Sequence, residues 1–177
     1  MLKAGLITKA PANTPIAAPL FFVWKKDGTR RPVIDYRKLN DITVKDSSPL
    51  PRIDEMLERM QGSKIFSKFD LKMGYHQLRM KPGDEWKATF MTPDGPFMPT
   101  VMGFGLCNAP PFFQRWISDV LAPVINRGVE DYLDDAGSHH QTKEEHVEVN
   151  REILSCFRKL YGYSDLSTNL GSHLLRE

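Results

Sequence analysis

The stretch "PLFFVWKKDGTRRPVIDY", residues 19–36, constrains the fold of this chain more than any other. Two apolar runs, Leu20–Trp24 and Pro32–Tyr36, flank a polar tip with Asp27-Gly28 at its centre. A chain that reverses there needs a residue that accepts positive φ. Glycine does so without steric cost, so Asp-Gly between two β-like runs specifies an antiparallel hairpin. The tip carries Lys25, Lys26, Arg30 and Arg31 with only Asp27 against them. Two readings of these cations stand open, a solvated turn and a clamp for phosphate.

Around the hairpin the chain reads as an α+β domain. Residues 1–18, rich in Ala, Pro and Thr, read as an extended lead-in. In "SSPLPRIDEMLERMQG", Pro51 suits a first turn, and Ile53, Met56, Leu57 and Met60 share a helical stripe that Gly62 ends. Its charges, Asp54, Glu55, Glu58 and Arg59, read as an exposed face. Ile65–Leu71 is β-like, and "HQLRMK" alternates with Leu78 and Met80 on one face. Short strands follow in "KATFM" and "FMPTVM" around the turn "TPDGPF". A glycine-rich loop, "GFGLCNAP", leads into a helix with Phe113, Ile117, Val120, Leu121 and Val124 inward. Thr142 and Glu145 form a capping box for a last helix, with Ile153, Leu154, Phe157 and Leu160 inward. Residues 161–177 read as a weakly ordered or truncated tail.

Composition narrows the classes. With 177 residues, 41% hydrophobic and 26% charged, the chain has the profile of a soluble globular protein, or of a well-formed piece of a larger one. The net charge of +2 creates no global basic field, so a nucleic-acid partner would need a local patch. Cys107 and Cys156 are isolated and suggest a reducing compartment. No apolar run reaches the roughly 18 residues of a membrane span, and no signal peptide is evident. The expected compartment is intracellular, cytoplasmic or nuclear.

Downstream, "VEDYLDDAGSHH" places Asp131, Asp134 and Asp135 close together. Such charge beside Tyr132 and Leu133 calls for water or a cation, and a solvated acidic turn is the commoner answer. A further carboxylate, Asp70, ends a strand of its own. Two-metal phosphoryl transfer needs carboxylates from separate strands, holding ions about 3.5–4 Å apart with oxygen ligands. His139, His140 and His146 lack cysteines at zinc spacing and read as a wet polar turn. Cys107 has no evident His–acid partners and reads as a small loop residue.

In this order, "KKDGTRRPVIDYRKLN", "FDLKMGYHQ", "GFGLCNAP" and "YLDD" resemble the fingers and palm of a reverse transcriptase of the gypsy-type LTR-retrotransposon class. The likeness runs from about Pro19 to about Leu160, so residues 19–160 are expected to be fingers and palm. It implies an RNA-directed DNA polymerase, with an antiparallel palm sheet backed by helices and a fingers β-hairpin. By the same likeness, Asp70, the main-chain carbonyl of Leu71 and Asp134 hold Mg²⁺, with Mn²⁺ as an alternative, and Asp135 stands alongside. Lys25 and Arg31 grip the triphosphate, and Tyr75 is the aromatic gate that selects against a 2′-hydroxyl. His76 packs beside that gate, and Phe104 and Gly105 lie against the incoming nucleotide and template. The implied partners are an RNA or DNA template with its primer, deoxynucleoside triphosphates, and the rest of a polyprotein. No membrane is implied.

The chain departs from that pattern in three places. The flanks of "YLDD", "RGVED" and "AGSHHQ", are polar where the family has apolar strands, so the turn is expected to be less firmly held. Gly103 stands where proline is usual, and Pro111 doubles the proline at the helix start. No primer grip or thumb is recognisable after Tyr161, which implies weak, salt-sensitive duplex binding. These departures keep open the alternative of a catalytically dead or domesticated relic that retains the fold and at most weak nucleic-acid or protein binding.

Overall fold

The computed structural model describes residues 1–71, 73–161 and 170–173, and the chain forms two units. One comprises Met1–Asp46 and Tyr75–Ala109, the other Ser47–Gly74 and Pro110–Glu177. The strands are β1 (Ile7–Lys9), β2 (Ala18–Trp24), β3 (Arg30–Ile34), β4 (Ile65–Leu71), β5 (Phe90–Thr92), β6 (Gly95–Pro99), β7 (Val129–Tyr132), β8 (Asp135–His140) and β9 (Leu170–His173). The helices are α1 (Arg37–Ile42), α2 (Ile53–Met60), α3 (Ala109–Leu121) and α4 (Lys143–Tyr161).

The first unit is built on a five-stranded sheet in the order β1-β6-β5-β2-β3. Ala18 and Pro19 pair in parallel with Phe90 and Met91, and β2 then pairs antiparallel with β3 from Leu20↔Ile34 to Trp24↔Arg30. Gly28, at φ 77°, supplies the positive φ that the tip requires. Phe21, Phe22, Val23 and Trp24 are all exposed, so the hairpin shows apolar side chains on both faces. The core of the unit includes Tyr36, Leu78, Ala88, Phe90, Phe97, Val101 and Met102. The buried Tyr36 hydroxyl donates to the Ala88 carbonyl at 2.8 Å. Within the lead-in, Ile7–Lys9 pair with β6.

The second unit has an antiparallel sheet, β7-β8-β4-β9, with α4 packed on it. Along β4, Ser67, Phe69 and Leu71 turn inward while Phe66, Lys68 and Asp70 turn outward, the period-2 pattern of a half-buried strand. Phe113, Ile117, Leu121, Val124, Val149, Ile153 and Phe157 are fully enclosed. Each such side chain contributes roughly 1.5–3 kcal/mol of burial. A Cβ on Gly74 would lie 2.8 Å from the Phe113 ring, so this position takes glycine.

The α+β architecture, with an antiparallel sheet backed by helices and a projecting hairpin, is the one expected. Local departures have physical causes. "HQLRMK" is not a strand: Gly74–Gln77 form a 3₁₀ turn and Arg79 makes an isolated bridge to Val101. Tyr75 and Leu78, three apart, are both buried, which is helical rather than alternating spacing. Pro51 precedes α2, which buries only Met56 and leaves Ile53 and Leu57 exposed. On α4 the inward stripe runs through His146, Val149, Ile153, Cys156 and Phe157, and Leu154 points out. Hydrogen bonding lets His146 take an apolar place there. Of the expected tail, residues 162–169 and 174–177 lie outside the described residues.

Candidate active site

The second unit gathers the acidic residues. β7 and β8 pair from Val129↔Ser138 to Tyr132↔Asp135, so Leu133 and Asp134 form a two-residue link. Asp70 is the cross-strand partner of Asp135, and the Leu71 N–H donates to the Asp134 carbonyl at 2.9 Å. Sheet register thus brings Asp70, Leu71, Asp134 and Asp135 to one end of the sheet. Like charges directly opposite on paired strands repel. Lys68 answers part of that charge, its Nζ 2.9 Å from Asp135 Oδ2. The bond to Asp135, with the nearby charges of Asp70 and Asp134, pushes the Lys68 ammonium above its ordinary range. Three carboxylates against one ammonium leave negative charge that a cation would offset, and the donors are all hard oxygens, as Mg²⁺ prefers. Among the described residues no three His, Cys, Asp or Glu side chains form a metal cage. A cation here would therefore keep water or substrate oxygens in its shell.

The link itself is strained. Leu133 has φ 52°, a left-handed conformation that is rare for a branched, bulky residue and costs about 1–3 kcal/mol. Its N–H donates to Gln114 Oε1 at 2.8 Å, and Gln114 Nε2 donates to Asp131 Oδ2 at 2.7 Å. Ser118 Oγ lies 2.5 Å from the same Oδ2. Burial pushes the Asp131 carboxyl above its usual range, against the downward pull of Ser118 and Gln114. Gln114 is not legible in the sequence, because it sits next to the apolar stripe of α3 and carries no motif signal of its own.

The polar flanks are buried rather than wet. Glu130, Asp131, Ser138, His139, His140 and His146 are each more than nine-tenths enclosed. Arg59 grips Glu130 with two hydrogen bonds, at 2.7 and 2.6 Å, so one of the charges read as an exposed face of α2 is tied to the sheet. His140 Nε2 lies 2.9 Å from the Arg127 carbonyl, which can only accept, so this nitrogen carries hydrogen. His140 Nδ1 is 2.9 Å from His146 Nδ1, and His146 Nε2 is 2.8 Å from Ser67 Oγ. Asn150 Nδ2 donates to that Oγ, and Asn150 Oδ1 accepts from Ser138. Each ring nitrogen of His140 and His146 thus has a partner, and burial together with the neighbouring His140 lowers the His146 pKa. The expectation of a wet histidine turn is therefore corrected. So is that of a loosely held "YLDD": its polar flanks are anchored by hydrogen bonds in place of apolar packing.

The first unit carries the other candidates. Lys25, Lys26, Arg30 and Arg31 are exposed and make no ion pair among the described residues. Asp27 is occupied locally, accepting from the Thr29 N–H at 2.9 Å and hydroxyl at 2.6 Å. The Arg31 guanidinium lies 5.5 Å from the centre of the Phe104 ring, and that ring is 4.9 Å from Tyr75. His76 meets the same ring edge-on at 6.2 Å. Gly105, at φ 97°, lies against the Ile34 carbonyl and the Tyr36 ring, where any Cβ would sit at 3.5 Å from each. Asn40 locks this loop, with Nδ2 donating to the Gly105 carbonyl at 2.8 Å and Oδ1 accepting from the Cys107 N–H at 2.9 Å. Hence "DYRKLN" and "GFGLCNAP" are stitched together by Asn40, another residue that the spacing alone does not single out. Cys107 is a half-buried loop residue.

An acid-bearing β-hairpin on an antiparallel sheet, with a cationic hairpin elsewhere in the chain, is the layout of a nucleic-acid polymerase palm and fingers. Residues 23–166 match the model of the family described as reverse transcriptase (RNA-dependent DNA polymerase), and the chain belongs to that family. It is 40% identical over 153 residues to the Transposon Tf2-3 polyprotein of Schizosaccharomyces pombe, covering 86% of this chain and 11% of that one. The Tf2-4 polyprotein matches to the same extent. These relatives agree with the gypsy-type class. The chain thus spans about a tenth of the length of the curated relatives it matches. Its fold is similar to that of foamy viral protease–reverse transcriptase. For the complex with RNA/DNA hybrid the TM-score is 0.81 at 23% identity, covering 90% of this chain and 21% of that one. For the complex with double-stranded DNA it is 0.83 at 23%, covering 99% and 35%. The family is in general divalent-metal dependent. Among the described residues no helix is long and apolar enough to cross a membrane.

Proposed function

We propose that this chain carries the polymerising centre of an RNA-directed DNA polymerase, which adds deoxynucleotides to a primer 3′ end by two-metal phosphoryl transfer. The observation that carries the reading is the register that sets Asp70 opposite Asp135 and ties Leu71 to Asp134. Asp70, the Leu71 carbonyl and Asp134 would hold Mg²⁺, or Mn²⁺ in its place, with Asp135 beside them. When bound there, such an ion would supply charge neutralisation for phosphoryl transfer. Lys25 and Arg31 stabilise the triphosphate as exposed cations free of competing ion pairs. Tyr75, set against Phe104, forms the wall that excludes a 2′-hydroxyl, and Phe104 with Gly105 lies against nucleotide and template. The substrates are deoxynucleoside triphosphates and a primed RNA or DNA template, within a larger intracellular polyprotein. A thermal-shift titration tests the reading. A deoxynucleoside triphosphate with Mg²⁺ should raise Tm in proportion to ln(1 + [L]/Kd), and Asp70→Asn should remove the Mg²⁺-dependent part. A Tm that ignores both ligands would overturn it.

A further inference from the structure

We infer that Asp131, acting through Gln114, fixes the backbone of the turn that carries Asp134 and is thereby a positioning residue for cation binding. Its consequence for the cation rests on the polymerase reading above; its structural half does not. The two ends of a glutamine amide are alike in shape, and what they face decides which way the group lies. An ionised carboxylate only accepts, so Asp131 Oδ2, 2.7 Å away, holds the NH₂ end of Gln114. The Asp131 carbonyl, at 3.3 Å, faces the same Nε2 and can also only accept. Oε1 is left for the Leu133 N–H. A turn residue held at φ 52° needs such a partner, since few alternatives compensate its conformation. Gln114 is 4% and Asp131 5% exposed, so the amide–carboxylate pair itself is shielded from water. The carbonyl of the following residue, Asp134, accepts from the Leu71 N–H, so the link is tied from both sides.

The test uses the full chain and three variants, Asp131→Asn, Gln114→Met and Gln114→Glu. The first replaces a pure acceptor by a side chain of the same volume that both donates and accepts, leaving only the longer contact to the residue-131 carbonyl as a fixed acceptor for the amide. Gln114→Met keeps length without polar ends, whereas Gln114→Glu keeps the acceptor for Leu133. The first readout is hydrogen exchange at the Leu133 amide by NMR, with the Val129 and Ser138 amides as controls for folding. Exchange at Leu133 should rise about tenfold in Asp131→Asn and Gln114→Met, the size of one hydrogen bond lost, with the controls unchanged. Gln114→Glu should retain more protection than Gln114→Met. The second readout is Mn²⁺ affinity by electron paramagnetic resonance, expected to weaken in parallel with Leu133 protection. Unchanged Leu133 exchange in Asp131→Asn would overturn the inference, as would raised exchange with undiminished Mn²⁺ affinity. Absence of Mn²⁺ binding by the wild-type chain would overturn the polymerase reading instead, leaving the exchange result to decide the role of Asp131.

Discussion

The hairpin tip of the first unit and the sheet of the second treat polar residues in opposite ways. In the first, the hairpin cations Lys25, Lys26, Arg30 and Arg31 are exposed, beside the exposed Phe22 and Trp24. In the second, Glu130, Asp131, Ser138, His139, His140 and His146 are withdrawn from water. A buried polar group must find partners or destabilise the fold, so its first duty is structural. An exposed, unpaired charge contributes little to folding and stays available to a ligand. Polarity on its own therefore does not mark a binding residue. Among the carboxylates at the sheet end of the second unit, Asp70 and Asp134 stand apart. Asp70 is exposed and Asp134 half-buried, and neither has a side-chain partner among the described residues.

Substitutions can break this contrast in turn. Phe113→Ala, at the enclosed centre of α3, should cost about 3–5 kcal/mol and lower the urea midpoint accordingly. Ser67→Ala removes the hydroxyl that His146 and Asn150 share, leaving buried groups unsatisfied at about 1–3 kcal/mol by chemical denaturation. The histidines give the contrast a pH signature. The His146 pKa is lowered on folding, so below about pH 6.5 the unfolded chain takes up a proton that the folded chain resists. Stability should be full above that pH and fall as pH drops below it, and His146→Gln should flatten the curve. Asp131 works with the opposite sign, its raised pKa favouring the folded state only in the more acidic carboxylate range. At the other extreme, Lys25→Ala with Arg31→Ala should leave stability within about 0.5 kcal/mol while weakening triphosphate binding in a salt-dependent way. A large loss of stability in that pair would show the hairpin cations to be structural after all.

Sequence legibility follows the same divide. The hairpin, the strand ending at Asp70 and the buried stripe of α3 can be read because Gly28, alternation along β4 and helical spacing each act locally. Asp70, Asp134 and Asp135 can be singled out by motif, although only register across β4 and β8 places them together. What is not legible depends on contacts between distant residues. Gln114 meets Leu133, Asn40 meets Gly105, and His140 meets His146 through side-chain hydrogen bonds that no spacing rule encodes. The histidines mislead for that reason. A polar run in sequence looks wet until its partners, here Ser67 on one strand and Asn150 on a helix, are known to lie beneath it.

The most direct test of the polymerase reading is extension of a labelled DNA primer on an RNA template with Mg²⁺ or Mn²⁺, beside Asp134→Asn. Extension by the wild-type chain that falls by roughly 10²–10³ or more in the variant, with matching circular dichroism, is the predicted result. Equal extension by both, or none by a folded wild-type chain, would contradict it.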